Sequence, residues 1–426
     1  MKNRFARTAA LIWAFIMVAV IASTATMMLT NRSTGSGGVY WVSQEQYDLI
    51  ERYKRLDEVR DVLLKQYYQP LDEDALVLGA IRGMTSATED VYTFYYTPEQ
   101  FLRERQNSNG LYRGIGVLIG ENPDGYIEVI RVYPQTPAES AGLQAGDLIT
   151  GIDGQRIGEG GKTYEEAVAM IRGEENTSVD LSILRGEERL KATVMRSDVS
   201  VSYVDYRMLE NGIGYVSIGQ FLGDAAERFE EALASFNEQG ARGMIIDVRN
   251  DPGGMLTTVN RIADSILPKG VIVYIQERDG KKIDYYSDEA YDDLPVVVLT
   301  NGMSASASEI LAASVQALDR GMVVGTTTFG KGIVQTLVSF DEDGAAMQLT
   351  TSSYYDANGR SIHGVGVTPD VEIAFEGDRV PIDPDPEADN QLREGIRVLE
   401  TLIEKRATTA ATPEEMTTEA VSAAEE

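Results

Sequence analysis

Three serines at alternate positions, Ser304, Ser306 and Ser308, stand between the β-branched run PVVVLT (295–300) and an apolar stretch that opens at Ile310. The run reads as a buried strand and the stretch as a helix. A strand that turns through Gly and Ser into a helix exposes a hydroxyl at the helix amino end, where free N–H groups point outward. One of these serines is therefore a candidate nucleophile, but a hydroxyl attacks poorly unless a base takes its proton. The chain has no cysteine and one histidine, His363. Cysteine nucleophiles, disulfides, thiolate zinc sites and multi-histidine metal sites are excluded, and no metal or cofactor is expected. His363 lies in the Gly-rich turn SIHGVGVTPD, and a Ser-His-Asp triad would hang on it alone. The other candidate base is Lys331 in FGKGIVQ. Its flanking glycines let other backbone approach closely, and burial lowers a lysine's pKa toward the roughly 7–8 useful to a base. Gln335, four residues on and on the same face of a strand, could orient the amine.

Each of these residues also has a plainer reading. Ser306-x-x-Glu309 has the spacing of a capping box, which taken alone makes Ser306 only a helix start. A Gly-flanked lysine taken alone is a surface turn residue. Gly325-x-x-x-x-Gly330-Lys331 approaches a nucleotide-binding loop, but Gly332 stands where Ser or Thr is required. Such a loop also opens a helix, whereas IVQTLVSF reads as strand, so nucleotide binding is rejected.

The elements that must position these groups emerge along the chain. Its 426 residues, 43% apolar, suffice for two or three domains. With 38 basic and 67 acidic residues the net charge is −29, which argues against nucleic acid as a partner. Lys2, Arg4 and Arg7 precede an uncharged run from Ala9 to Leu29, about 21 residues long and close to the roughly 20 that span a bilayer. Positive charge before the run places the amino end inside and the bulk outside the cytoplasm. A cleaved signal peptide is the rival reading. Residues 1–30 are thus read as an anchor, and the chain as a single-pass protein of the cell membrane whose working part is extracytoplasmic. A linker and helical region follows (31–110), with Leu49, Tyr53, Leu56, Val59 and Leu63 at helical spacing and Thr97-Pro98-Glu99-Gln100 as a helix start.

From residue 111 short strands are punctuated by glycine. GLYRGIGVLIG, IEVIRVY, TPAESAGLQAGDLITGIDG, the helix YEEAVAMIRG and the hairpin VDLSILRGEERLKATVM follow in order. Region 111–197 resembles a PDZ domain. The resemblance implies that the amides of Ile115, Gly116 and Val117 hold a peptide's terminal carboxylate while the peptide adds as a strand. Arg172 ends the groove-forming helix. Residues 198–380 alternate strand, turn and helix, which argues for a core sheet with flanking helices. Residues 381–406 hold one helix, and 407–426 form an acidic tail without a packing stripe, read as disordered.

DVRNDPGG (247–254), NGMSASASEI (301–310) and TTFGKGIVQ (327–335), in this order behind a PDZ-like domain, resemble the C-terminal processing peptidases, also called tail-specific proteases. The resemblance covers roughly residues 45–405. With the membrane anchor and helical segment read above, it implies a multidomain α+β and α/β protein with a PDZ-like β domain and an α/β serine protease core. It further implies Ser306 as nucleophile, Lys331 as base and Gln335 in support. The oxyanion hole would use the amide of Ala307 and that of Gly253 or Gly254. The implied activity is a serine endopeptidase that takes protein or peptide substrates by their free carboxyl ends, with a homodimer formed through the terminal regions. The competing reading is a PDZ-type peptide-binding scaffold with an inert protease-like domain.

Overall fold

The structure, a computed structural model, describes residues 17–18, 42–108, 111–122, 124–158, 160–174, 176–200, 202–340, 343–377, 380–381 and 383–410. The expected membrane-spanning run lies outside the described residues except for 17–18, as does the tail from 411. Among the described residues no helix is long and apolar enough to cross a membrane. The chain divides into two compact units, 1–84 and 85–426.

In the first unit, α1 (Gln44–Gln66) is closed at its start by Ser43 and Gln46, which form a reciprocal capping box. It buries none of its residues, and Leu49, Ile50, Tyr53, Leu56 and Val59 stay exposed along it. Helix α2 (Glu73–Ser86) follows, tied to α1 by the Arg60–Glu73 ion pair at 3.5 Å.

The second unit begins with β1 (Phe94–Tyr96), a strand inside the stretch read as helical. It pairs antiparallel with residues 346–348, so long-range pairing overrides local propensity there. Helix α3 (Pro98–Ser108) starts as expected, with the Thr97 N–H donating to Gln100 Oε1 at 3.0 Å. Strand β2 (Leu111–Gly114) follows, and then the PDZ sheet, with β3 (Val117–Glu121), β4 (Ile127–Val132), helix α4 (Pro137–Ser140), β5 (Leu148–Ile152), β6 (Gln155–Arg156), helix α5 (Tyr164–Ile171), β7 (Ser178–Arg185) and β8 (Glu188–Met195). The strands run β3-β4-β5-β7-β8 around their own core, in which Ile115, Ile127, Val129, Ile149 and Leu181 are buried. Strand β9 (Ser197–Ser200) returns to pair with β2.

The core sheet holds β10 (Val204–Met208), β11 (Gly214–Ile218), helix α6 (Ala225–Glu238), β12 (Met244–Asp247) and helix α7 (Leu256–Asp264). A second sheet, to which β1 also belongs, takes β13 (Gly270–Glu277) and β14 (Lys282–Ser287). The core sheet resumes with β15 (Val296–Thr300), helix α8 (Ala307–Ala317) and β16 (Gly321–Gly325). Strands β17 (Ile333–Ser339) and β18 (Ala346–Asp356) belong to the second sheet, while β19 (Val371–Glu372) edges the first, before the long α9 (Asn390–Ala410). The core order is β10-β11-β12-β15-β16-β19, parallel after the antiparallel β10.

Alternation along the parallel strands explains their continuous apolar runs. Val216, Ile246, Val296 and Val298 pack against α6, α7 and α8, while Tyr215, Ile245, Val297 and Leu299 pack against α9. Because both faces are covered, both sets of side chains must be apolar. This sheet delivers the 247–254 turn and the 301–306 turn from the carboxyl ends of adjacent strands β12 and β15. Loop 326–332 leaves β16, the next strand, and enters β17 of the second sheet.

Candidate active site

The serine turn is built by its neighbours' hydrogen bonds. Ser304 is fully buried, and its hydroxyl donates to the Val248 carbonyl at 2.7 Å. Ser308 is fully buried too, with its hydroxyl on the Asp251 carbonyl at 3.0 Å. Both act as struts between the two turns, and the Ala305 N–H adds a third link to the Asp251 carbonyl at 2.9 Å. Ser306 is different. It is half-buried at the N-cap of α8, with φ 56° and ψ −110°, and its side chain makes no cap hydrogen bond. The Glu309 N–H donates instead to the Ser306 carbonyl oxygen at 3.0 Å. A non-glycine residue in such a conformation costs roughly 1–3 kcal/mol and persists only where the surroundings hold it.

Glu309 does much of that holding. Its side chain is fully buried. Oε2 accepts the N–H of Ser306 and that of Lys331, both at 2.8 Å. Oε1 accepts the Thr328 hydroxyl at 2.6 Å and the Gly330 N–H at 2.7 Å. One carboxylate thus joins the serine turn to the lysine loop, and the Phe329 N–H adds a bond to the Ser304 carbonyl at 3.0 Å. On the far side Tyr354, 1% exposed, directs its hydroxyl at the carbonyl oxygens of Ser306 (3.1 Å) and Lys331. Burial pushes the Tyr354 phenol well above its ordinary pKa, so it stays a donor.

Lys331 is half-buried. Burial lowers its pKa below that of an ordinary lysine, while the Asp90 and Glu309 carboxylates act in the opposite sense. Its ammonium nitrogen lies 4.2 Å from the centroid of the Tyr92 ring. The flanking glycines allow close backbone approach: a Cβ on Gly332 would lie 2.5 Å from the His363 nitrogen. His363 itself is exposed, and its Nδ1 accepts the Gly332 N–H at 3.4 Å. Gln335, in β17, donates from Nε2 to the Thr350 hydroxyl at 3.2 Å.

Ala307, 1% exposed, is the first residue of α8, and its N–H has no intrahelical acceptor. Gly253, at φ 102°, lies against it, since a Cβ there would come within 2.8 Å of both the Ala307 nitrogen and Ser306 Cβ. Its N–H donates to Asp251 Oδ1 at 2.7 Å. Asp251 is fully buried, and its Oδ2 has no hydrogen-bond partner. Burial therefore holds this carboxyl well above the usual carboxylate range, against the pull of the Gly253 N–H and Ser308. Behind the turn, buried Arg249 binds Asp247 at 2.6 Å and Asp389 at 2.8 Å, which fixes the end of β12 to the start of α9.

In the PDZ sheet Ile115 is fully buried, Gly116 has φ 87° and Val117 opens β3. A Cβ on Gly116 would fall 2.2 Å from Thr136 Cβ, so the loop requires glycine. A groove of about 510 Å³ lies between β3 and α5, lined by Val117, Ile119, Tyr164, Val168 and Arg172. Leu118, Tyr133, Tyr203 and Gln220 line both this groove and a cavity of about 430 Å³ that reaches Asn250 and Pro252 of the 247–254 turn.

Sequence reasoning singled out Ser306, Lys331 and the glycine turn, and the structure brings the three loops together. It gave Glu309 only as a possible half of a capping box, and it passed over Tyr354 and Asp251. The Ser306-x-x-Glu309 spacing was the one local sign of Glu309.

Comparison with known proteins agrees with this architecture. Peptidase family S41 matches residues 212–373, a PDZ domain matches 128–185, and the activating protease CtpB N-terminal domain matches 16–100. Carboxy-terminal processing protease CtpA of Bacillus subtilis (strain 168) is 32% identical over 360 residues, 84% of this chain and 75% of that protein. A carboxy-terminal-processing protease of Bartonella bacilliformis is 34% identical over 333 residues, 75% of either chain. An S41 structure from Bacteroides fragilis NCTC 9343 shares the fold at a TM-score of 0.54 and 15% identity, over 88% of this chain and 99% of that one. An α/β core joined to a PDZ domain thus defines a multidomain peptidase. The chain belongs to the C-terminal processing serine proteases, peptidase family S41.

Proposed function

We propose that the protein is a membrane-anchored, extracytoplasmic serine endopeptidase that captures protein carboxyl ends in its PDZ domain and cleaves with a Ser306–Lys331 dyad. The observation that carries the reading is the buried Glu309 carboxylate, which bonds the backbone N–H of both residues across 25 positions of chain. The depressed pKa of Lys331 supports it, because a neutral amine is needed to accept the serine proton.

In this mechanism Ser306 Oγ attacks the scissile carbonyl carbon as its proton passes to Lys331 Nζ. The oxyanion is met by the Ala307 N–H and by that of Gly253 or Gly254. Use of Gly253 requires its N–H to turn from Asp251. The intermediate collapses to an acyl-enzyme, Lys331 returns the proton to the leaving amine, and water then releases the acyl group. Gln335 supports the lysine loop through its neighbour strand. The Ile115, Gly116 and Val117 amides take the substrate's terminal carboxylate, and the groove and the cavity beside it, which share lining residues, extend toward the turn. Residues 1–30 anchor the chain, the domain bounds are those read above except that α9 carries the last helix past 406 to Ala410, and the exposed apolar residues of α1 suit a homodimer.

The test is cleavage of an unstructured protein substrate by wild-type, Ser306→Ala and Lys331→Ala proteins, with the substrate's carboxyl end free or amidated. The dyad requires both variants to lose activity. Amidation should lower the wild-type rate, and an unchanged rate would remove the PDZ domain from substrate capture.

A further inference from the structure

The hydroxyl of Tyr354 meets two backbone carbonyls, and they are those of Ser306 and Lys331. Tyr354 comes from β18, in a different sheet from the strand that feeds Ser306, and its own N–H donates to the Gly332 carbonyl at 3.1 Å. Carbonyl oxygens only accept, so the phenol is the donor. A buried tyrosine hydroxyl needs one partner, and this one is set between two.

Which peptide unit it holds decides what it does. In a trans peptide the C=O and N–H of one plane point in opposite directions. The Ser306 carbonyl shares its plane with the Ala307 N–H. The Glu309 and Ile310 N–H groups hold that oxygen from within α8 at 3.0 Å each, and the anchor from the β18 side adds a constraint from outside the helix on where the Ala307 N–H points. Glu309 holds Ser306 by its preceding N–H but does not touch this plane through its carboxylate. At ψ −110° the plane lies outside the ordinary wells, so losing one of the three donors on its oxygen leaves it freer to tilt.

We propose that Tyr354 is a positioning residue for the oxyanion hole: its hydroxyl holds the Ser306–Ala307 peptide plane so that the Ala307 N–H faces the developing oxyanion. A hydrogen bond to the carbonyl also polarises the unit and strengthens its N–H as a donor. The inference rests on the reading of Ser306 as nucleophile and Ala307 as donor. The same hydroxyl also meets the Lys331 carbonyl, in the Lys331–Gly332 plane, whose N–H donates to His363 Nδ1 at 3.4 Å.

The experiment compares wild type, Tyr354→Phe, Tyr354→p-aminophenylalanine and Ser306→Ala as full-length proteins. Phe keeps the ring that fills the core, and p-aminophenylalanine restores an N–H donor at the hydroxyl's place. Losing an oxyanion donor outright typically costs roughly 100- to 1,000-fold, and a misdirected donor part of that. The expected result for Tyr354→Phe is a fall in kcat of about 10- to 100-fold with KM little changed. Affinity for a peptidyl boronate, which forms a tetrahedral adduct on serine, should fall in parallel. The aminophenylalanine variant should recover most of both losses. Unchanged kcat in folded Tyr354→Phe, or equal kcat in the Phe and aminophenylalanine variants, overturns the inference. Should the Phe variant not fold, boronate affinity of the aminophenylalanine variant below one-tenth of wild type overturns it, and affinity within tenfold supports it. Ser306→Ala separates the two levels. If it still cleaves, the dyad reading has failed. If it is dead while Tyr354→Phe matches wild type, only the role of Tyr354 has failed.

Discussion

Glu309→Gln weighs the junction between the serine turn and the lysine loop with the smallest possible change in shape. The carboxylate accepts four hydrogen bonds, two on each oxygen. A glutamine amide has one acceptor oxygen and one NH2, so one pair of donors must face a donor. The less costly orientation turns the NH2 toward Thr328 and Gly330, because the Thr328 oxygen can accept. That oxygen already takes the Val367 N–H at 2.7 Å, and it must release its own proton from the carboxylate. Gly330 N–H is then left buried without a partner, at a cost of about 1–3 kcal/mol. The bonds from the Ser306 and Lys331 N–H groups survive as neutral ones, each weaker by roughly 0.5–1.5 kcal/mol. The total is about 2–6 kcal/mol, a large share of a typical stability of roughly 5–15 kcal/mol. Urea unfolding followed by circular dichroism reads it directly. A Gln variant within about 0.5 kcal/mol of wild type, the usual range for a surface change, would refute the reasoning. The same variant loses the carboxylate that favours protonated Lys331, so the acid limb of its pH–rate profile should also lie at lower pH.

Two further perturbations test the charges around the site. Asp90 raises the Lys331 pKa, and the neutral base is lost as pH falls through that pKa. Asp90→Asn should therefore move the acid limb of kcat/KM toward lower pH; a limb that stays put or moves upward contradicts the assignment of Lys331 as base. Asp251 binds a proton in the folded protein at pH values where the unfolded chain, titrating near roughly 3.9, has lost it. Folded-state stability should thus decline by up to about 1.4 kcal/mol per pH unit as pH rises above about 4, until the raised folded pKa is passed. Asn cannot ionise, so Asp251→Asn should lack this slope, and its stability relative to wild type should grow between pH 5 and pH 8. Parallel pH dependences in urea midpoints would show that Asp251 is not buried as an acid.

The parts of this protein that were legible in its sequence are those fixed by neighbours in the chain. The runs MIID and PVVVLT announce strands because both faces must be apolar, and the start of α3 is written in Thr97 to Gln100. Ser306 and Lys331 could be chosen from residue type and flanking glycines, with a family resemblance to join them. What could not be read depends on pairing across long separations. Phe94 to Tyr96 becomes a strand only because residues 346–348 lie beside it. Glu309 showed the spacing of a helix cap, yet three of its four partners arrive from the 328–331 loop. Tyr354 sits in AMQLTTSSYY, where nothing distinguishes it from Tyr355; its hydroxyl matters because β18 passes behind residues 48 and 23 positions earlier. Asp251 looked like a polar turn residue beside proline, and only the packing of the two turns removes it from water.

The most direct test of the central claim is to treat the wild-type, Ser306→Ala and Lys331→Ala proteins with a serine-reactive fluorophosphonate and map the adduct by mass spectrometry. The expected result is one adduct on Ser306 in the wild type, none in Ser306→Ala, and labelling at least about 100-fold slower in Lys331→Ala, within the range usual for loss of a general base. An adduct on Ser304 or Ser308, or labelling of Ser306 at an undiminished rate without Lys331, would contradict it.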